Sequence, residues 1–134
     1  MTQLFGSYPL ENDLEMARLV EDGFPASAVN SIGAALGLRP VKVGPLVNIT
    51  EKTLERRLKD HAQLKPSESE RVARLMRIIA LAGTLLENQE NARQWLQRPL
   101  RVLGGRTPLE MIATEPGARE VEHVLRRLEH GVFS

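Results

Sequence analysis

The residues able to do chemistry in this 134-residue chain are few. His61, His123 and His130 are its only histidines, and there is no cysteine. His123 and His130 lie seven apart and could share a helix face, but neither has the further ligand at the spacing that a metal site needs. Surface or capping positions suit all three better. Glu120 and Glu122 sit among Arg119, Arg126 and Arg127, a pattern of surface ion pairs rather than of an acid–base couple. Gly104-Gly105 lacks the further glycines, the lysine and the preceding strand of a phosphate loop. No catalytic constellation emerges, so the expectation is a protein that is not an enzyme and takes neither metal nor cofactor. Binding chemistry remains. Lys52, Arg56 and Lys59 recur on one outward helix face with Arg57 beside them, behind Thr50 and Thr53. Such a face can meet nucleic-acid phosphates, although taken alone it is more often merely solvated.

Composition bounds the classes. The net charge is only +1, so any DNA contact has to come from local clustering rather than from a basic domain. With 42% hydrophobic and 4% aromatic residues, the core must be built from Leu, Val, Ile, Ala and Met, as in helical proteins. The absence of cysteine removes disulfides and thiolate chemistry, and it fits a reducing cytoplasm. Charges interrupt every apolar stretch, and the first residues lack the pattern of a signal peptide, so a cytoplasmic protein with no membrane partner is expected.

The elements that must position the basic face are all helical. Residues 9–22 form a first helix capped by Asn12 with Glu15, with Leu14, Ala17, Leu19 and Val20 as apolar positions and Gly23 at its end. Pro25 opens a second, on whose face lie Val29, Ile32 and Leu36, with Gly37 at its C-terminal turn. Then come a short helix, a turn, and a better helix capped by Thr50, with Leu54 and Leu58 four apart on its inner side. Gly44-Pro45 falls inside the short helix; an interior proline costs about 3 kcal/mol, so that helix should be shortened, kinked or begun at Pro45. From Pro66, Ser67 with Glu70 reads as a capping box. Val72, Leu75, Met76, Ile79, Ala82 and Leu86, widened by Ile78, Leu81 and Leu85, make the next helix apolar nearly all round and therefore central and buried. Arg71, Arg74 and Arg77 read as solvated arginines that could also line a partner site. A helix over 88–98 turns Ala92, Trp95 and Leu96 inward. Thr107-Pro108-Leu109-Glu110 is a second capping box, with proline at the first helical position. Pro116-Gly117 should break that short helix before a last one carrying Val121, Leu125, Leu128 and Val132.

The order Ala92-x-x-Trp95-Leu96, Leu103-Gly104-Gly105, Thr107-Pro108-Leu109, Thr114-x-x-Gly117, Val121, Leu125 and His130-Gly131-Val132 resembles one family over roughly the last 45 residues. It is the toxin-binding domain of Xre/MbcA/ParS-type antitoxins, partners of RES-domain toxins. Ile49-Thr50-x-x-Thr53-Leu54-x-Arg56-Arg57 and Leu64-x-x-x-Glu68-Ser69-x-Arg71 resemble the Xre-like helix-turn-helix of the same family. The resemblance implies an all-α fold. An N-terminal helix-turn-helix domain over 1–66 is joined by the central buried helix to a toxin-binding domain within 67–134.

It also implies an antitoxin that binds a RES-domain, NAD-consuming toxin and covers its active-site cleft. The residues at that contact would be Gly117, Arg126, Arg127, His130, Gly131, Val132, Phe133 and Ser134. Phe133 followed by a carboxylate could plug a cleft lined with phosphate-holding basic groups, or the tail could simply fray. Autorepression as a homodimer on operator DNA would rest on Thr50, Lys52, Thr53, Arg56, Arg57 and Lys59. Against the resemblance stands a stand-alone helix-turn-helix regulator, or a helical adaptor, with no toxin. The C-terminal motif set is what such a protein would not need.

Overall fold

The computed structural model describes residues 4–129, and among them every regular element is helical. Packing divides the chain into two units between Met76 and Arg77, inside a helix rather than at the start of one.

In the first unit, α1 (Asp13–Asp22) opens where the Asn12 side chain accepts the Glu15 backbone N–H at 3.0 Å, satisfying one of the amides a helix start leaves free. Its apolar residues do not all turn inward. Met16 is the buried one, while Leu14 is 67% exposed and Ala17 lies in solvent, because the buried edge continues through Leu19 and Val20 to Gly23 at helical spacing. The next helix, α2 (Ala28–Leu36), buries Val29, Ile32 and Leu36 and ends at Gly37 in the left-handed conformation. The short helix α3 (Pro40–Val43) runs directly into a 3₁₀ turn, Gly44–Val47, and stops at left-handed Asn48. Pro45 therefore sits where a turn begins and no N–H is required of it. The helix is shortened and tightened, one of the forms the sequence allows. Then α4 (Glu51–Lys59) starts at Thr50.

The long helix α5 (Pro66–Leu85) has Val72, Leu75, Met76, Ile78, Ile79 and Ala82 fully buried, each of the larger ones worth roughly 1.5–3 kcal/mol relative to exposure. Its start differs from the expected Ser67–Glu70 box. Pro66 is the first helical residue, so the reaching acid is Glu68, whose carboxylate accepts the Lys65 N–H at 2.8 Å. Glu70 instead binds Arg74 at 2.6 Å, and Arg74 is buried rather than solvated. The linker before α5 is stitched to the α1–α2 turn. Leu64 N–H donates to Phe24 O at 2.7 Å, Ala26 N–H to Ala62 O at 2.9 Å, and Phe24 N–H to the buried Ser69 Oγ at 2.8 Å.

In the second unit, α6 (Gln89–Leu96) is capped by Asn88 and buries Ala92, Trp95 and Leu96. A loop closed by Leu100 N–H to Arg106 O at 3.0 Å carries Gly104 and Gly105 at φ +70 and +87. Helix α7 (Pro108–Met111) has the reciprocal box, with Thr107 Oγ1 accepting from Glu110 N–H at 3.1 Å and Glu110 accepting from Thr107 N–H at 2.8 Å. Helix α8 (Glu115–Glu129) buries Val121, Val124 and Leu125. Pro116-Gly117 does not lie in the break. Both belong to the first turn of α8, where proline's missing N–H is no loss. The break is Ile112–Thr114, and Thr114 Oγ1 accepts the Gly117 N–H at 3.1 Å. Gly117 is required by a close approach: a Cβ there would lie 1.9 Å from the Met111 carbonyl oxygen. Arg77 ties the second half of α5 to α8 through Glu122 at 2.7 Å and Glu115 at 3.8 Å.

Candidate functional site

The α3–turn–α4 segment presents the first candidate site. Thr50 Oγ1 accepts the Thr53 N–H at 3.3 Å and donates to Thr53 Oγ1 at 3.0 Å, so the cap and its partner are spoken for locally while Thr50 stays exposed. Leu54 is buried and Leu58 half-buried beneath the helix. Lys52, Arg56 and Lys59 stand exposed on the outer side, at the i, i+4, i+7 spacing of one face. None of them enters an ion pair among the described residues. Three cations without internal partners can be given to phosphates without first breaking a bond. Arg57 is different. Its guanidinium binds the Glu68 carboxylate, and the two side chains are 11% and 10% exposed. The expected DNA-facing set is thus brought together except for Arg57, which turns to the flank facing α5. The other edge of α4 borders a shallow groove of ≈ 290 Å³ lined by Pro40, Val41, Leu54 and Leu58, with Arg39, Glu51 and Glu55 bringing both signs of charge to it.

The second candidate site is the outer face of α8. Arg119, His123 and Arg126 follow one another there, all exposed. Arg119 lies 3.6 Å from Glu115, and His123 3.7 Å from Glu120. Arg126 has no ion-pair partner among the described residues, whereas Arg127 reaches Glu120 at 3.8 Å. Exposed pairs of this kind are worth at most about 1 kcal/mol and are readily exchanged for a partner's charges. Gly117 is buried against α7, so its part in any contact is to let α8 pack. His130, Gly131, Val132, Phe133 and Ser134 lie outside the described residues. Glu68 and Glu70, which hold arginines in place, were not singled out as ion-pair partners by sequence reasoning; Glu122 was expected to pair at the surface with nearby arginines, and its partner is Arg77. Local spacing gives Glu70–Arg74, four apart, but no local signal joins Arg57 to Glu68 or Arg77 to Glu122.

Among the described residues no cluster of His, Asp and Glu has the makings of a metal site, and no helix is long and apolar enough to cross a membrane.

Comparison with known proteins addresses both faces. Residues 15–77 match the family model of the antitoxin Xre-like helix-turn-helix domain, and residues 81–131 match that of the antitoxin Xre/MbcA/ParS C-terminal toxin-binding domain. The gap between the two matches falls just past the packing boundary at Met76–Arg77. Antitoxin Xre of Yersinia enterocolitica is 34% identical over 116 residues, covering 86% of this chain and 78% of that protein. Antitoxin Xre of Photorhabdus laumondii is 29% identical over 128 residues, covering 95% and 86%. A protein of Sphingobium named Prs ADP-ribosylating antitoxin is 24% identical over 125 residues, covering 87% and 79%.

Proposed function

The chain belongs to the Xre/MbcA/ParS antitoxin family, and on that footing we propose that it neutralises a RES-domain, NAD-consuming toxin by covering the toxin's active-site cleft. The observation that carries this reading is the match of residues 81–131 to a toxin-binding domain. Those residues fall within one packing unit with its own buried Trp95, Leu96, Val121 and Leu125. Such a unit can present α8 as a preformed surface, which lowers the ordering cost of binding. The Sphingobium relative's name couples an antitoxin to ADP-ribosylation, a transfer that takes its ADP-ribose from NAD, and so supports an NAD-using partner. Arg126 and Arg127 meet the cleft's rim. Residues 130–134 enter the cleft, with Phe133 as the apolar anchor.

The N-terminal unit binds operator DNA as a homodimer and represses the chain's own operon. Support for this comes from the match of residues 15–77 to a helix-turn-helix domain and from the unpaired cations Lys52, Arg56 and Lys59 on α4. Two-fold related copies set these helices into successive turns of the major groove.

Deleting Val132–Ser134 tests the plug. The truncated chain should still co-purify with the toxin through α8 yet leave NAD consumption running. Full neutralisation by the truncated chain would refute occlusion by the tail and move the block to the α8 face.

A further inference from the structure

We infer that Arg57 is a positioning residue that sets the roll of α4, and is not itself one of the DNA contacts; this rests on the reading of α4 as the DNA-facing helix. Arg57 follows Arg56 by one residue, so it points about 100° away around the helix. That difference takes it off the outer face and onto the flank facing the first turn of α5. There Glu68 Oε1 accepts both from Arg57 and, at 2.8 Å, from the Lys65 N–H. The carboxylate is thereby fixed by the start of α5, and the guanidinium is fixed by the carboxylate. The backbone of Arg57 is held as well, its carbonyl accepting from Ala62 N–H at 2.9 Å. With Leu54 buried on the inner side, α4 has an apolar anchor below and an ion pair on its flank. Leu54 and Arg57, three apart, lie about 60° from each other round the nine-residue helix, so together they hold one face of it inward and fix its rotation. The pair is nearly out of solvent, where salt screens it little.

A positioning role and a contact role make opposite demands. A phosphate contact adds to affinity for any DNA and to its salt dependence. Holding the helix at one rotation affects only how side chains meet base edges, so it acts on the promoter sequence and not on DNA in general. Glu68 separates the two most sharply. A carboxylate near DNA weakens binding if it acts through its own charge, so its neutralisation should tighten every complex unless its work is to hold Arg57.

The experiment compares the wild-type chain with Glu68→Gln, Arg57→Gln and Arg57→Lys. Two probes are used: a duplex carrying the region upstream of the chain's own gene, and a scrambled duplex of equal length. Each is titrated across a salt series, below every variant's melting midpoint. Positioning requires that Glu68→Gln and Arg57→Gln both lose about tenfold in affinity for the upstream duplex, the value of one well-made base contact. Scrambled-duplex affinity and the salt slope should not move. Arg57→Lys should fall between wild type and Arg57→Gln, because the pair rests on one contact, Nη1 to Oε1, which a lysine ammonium on its different stem replaces only in part. The proposal is overturned if Glu68→Gln binds the upstream duplex as well as or better than wild type. It is equally overturned if Arg57→Gln weakens both duplexes and lowers the slope by about 0.9, the signature of one lost phosphate contact. A wild-type chain that does not prefer the upstream duplex refutes operator recognition instead. Backbone amide exchange then decides the positioning role on its own: faster exchange across Glu51–Lys59 in both Gln variants, with Ala28–Leu36 unchanged, upholds it, and unchanged exchange in α4 overturns it.

Discussion

Replacing Gly117 with alanine should unfold the C-terminal unit earlier, although alanine is the better helix former. In an open helix the exchange gains about 1 kcal/mol. At this position the new Cβ would lie 1.9 Å from the Met111 carbonyl oxygen, 2.9 Å from the Met111 carbonyl carbon and 3.0 Å from Thr114 Oγ1. Carbon and oxygen approach comfortably only to roughly 3.3 Å. The obstacle is main chain, so no side-chain rotation relieves it, and the end of α7 has to move off the start of α8. That movement disturbs the packing of Leu109 and Ile112, both buried, and loosens the Thr114 cap, worth about 1 kcal/mol. Overpacking of this kind costs about 1–3 kcal/mol. With the cap and the helix gain roughly cancelling, the net loss is about 1–3 kcal/mol, or a drop of about 5–20 °C in midpoint for a unit of this size. Trp95, the single tryptophan, is buried in the same unit, so its fluorescence follows the transition directly. Gly104→Asn provides the contrast, since a Cβ there meets nothing within 4 Å beyond its chain neighbours and asparagine tolerates the left-handed φ of 70 and ψ of 23; its midpoint should fall far less than that of Gly117→Ala. If Gly117→Ala melts at or above wild type, the close approach is not what demands glycine, and a contact made by Gly117 with the toxin becomes the better explanation.

Three further outcomes are expected. Thr107→Ala removes the hydroxyl half of the α7 capping box, leaving the backbone N–H at 107 to donate to Glu110, and should cost about 1 kcal/mol in the same Trp95 melt; an unchanged midpoint would mean that the Thr107 cap does not stabilise α7. Arg56→Gln and Lys52→Gln should each weaken binding to upstream and scrambled duplexes alike and reduce the salt slope by about 0.9, and an unaltered slope would take α4 off the phosphates. The Glu90 carboxyl is held below the usual carboxylate range by the Arg93 side-chain hydrogen bond and by that of Gln94. Its contribution to stability is therefore present above the ordinary range and lost as pH falls through the lowered value. Carboxyl NMR titration of Arg93→Ala should show Glu90 moving back up, and no movement would mean that Arg93 is not the cause.

What could be read from the chain was what local chemistry determines. Asn12, Thr50 and Thr107-Pro108-x-Glu110 cap as their residue types require, and Val72, Leu75, Met76, Ile78, Ile79 and Ala82 are buried as their spacing requires, while Leu81 and Leu85, expected to widen that stripe, are only half-buried. The start of α5 was legible in principle. Proline at a first helical position places the reaching acid two residues on, which selects Glu68 over Glu70. Leu14 misled because one apolar residue off the buried edge costs little and need not be covered. Pro116-Gly117 carried the letters of a break, but a first helical turn accepts proline, and only the approach of α7 explains the glycine. The Arg57 pair was beyond reach. It joins residues eleven apart across a turn, and its existence depends on how α4 rolls against α5, which no local periodicity encodes.

The central claim is that this chain restrains an NAD-consuming toxin. Its most direct test is intracellular NAD in cells expressing the product of the adjacent gene, with and without this chain, together with co-purification of the two. The account requires NAD to collapse when the toxin is alone, to hold when the chain is present, and the two proteins to purify as one complex. NAD that falls equally in both cultures, with no complex recovered, would contradict it.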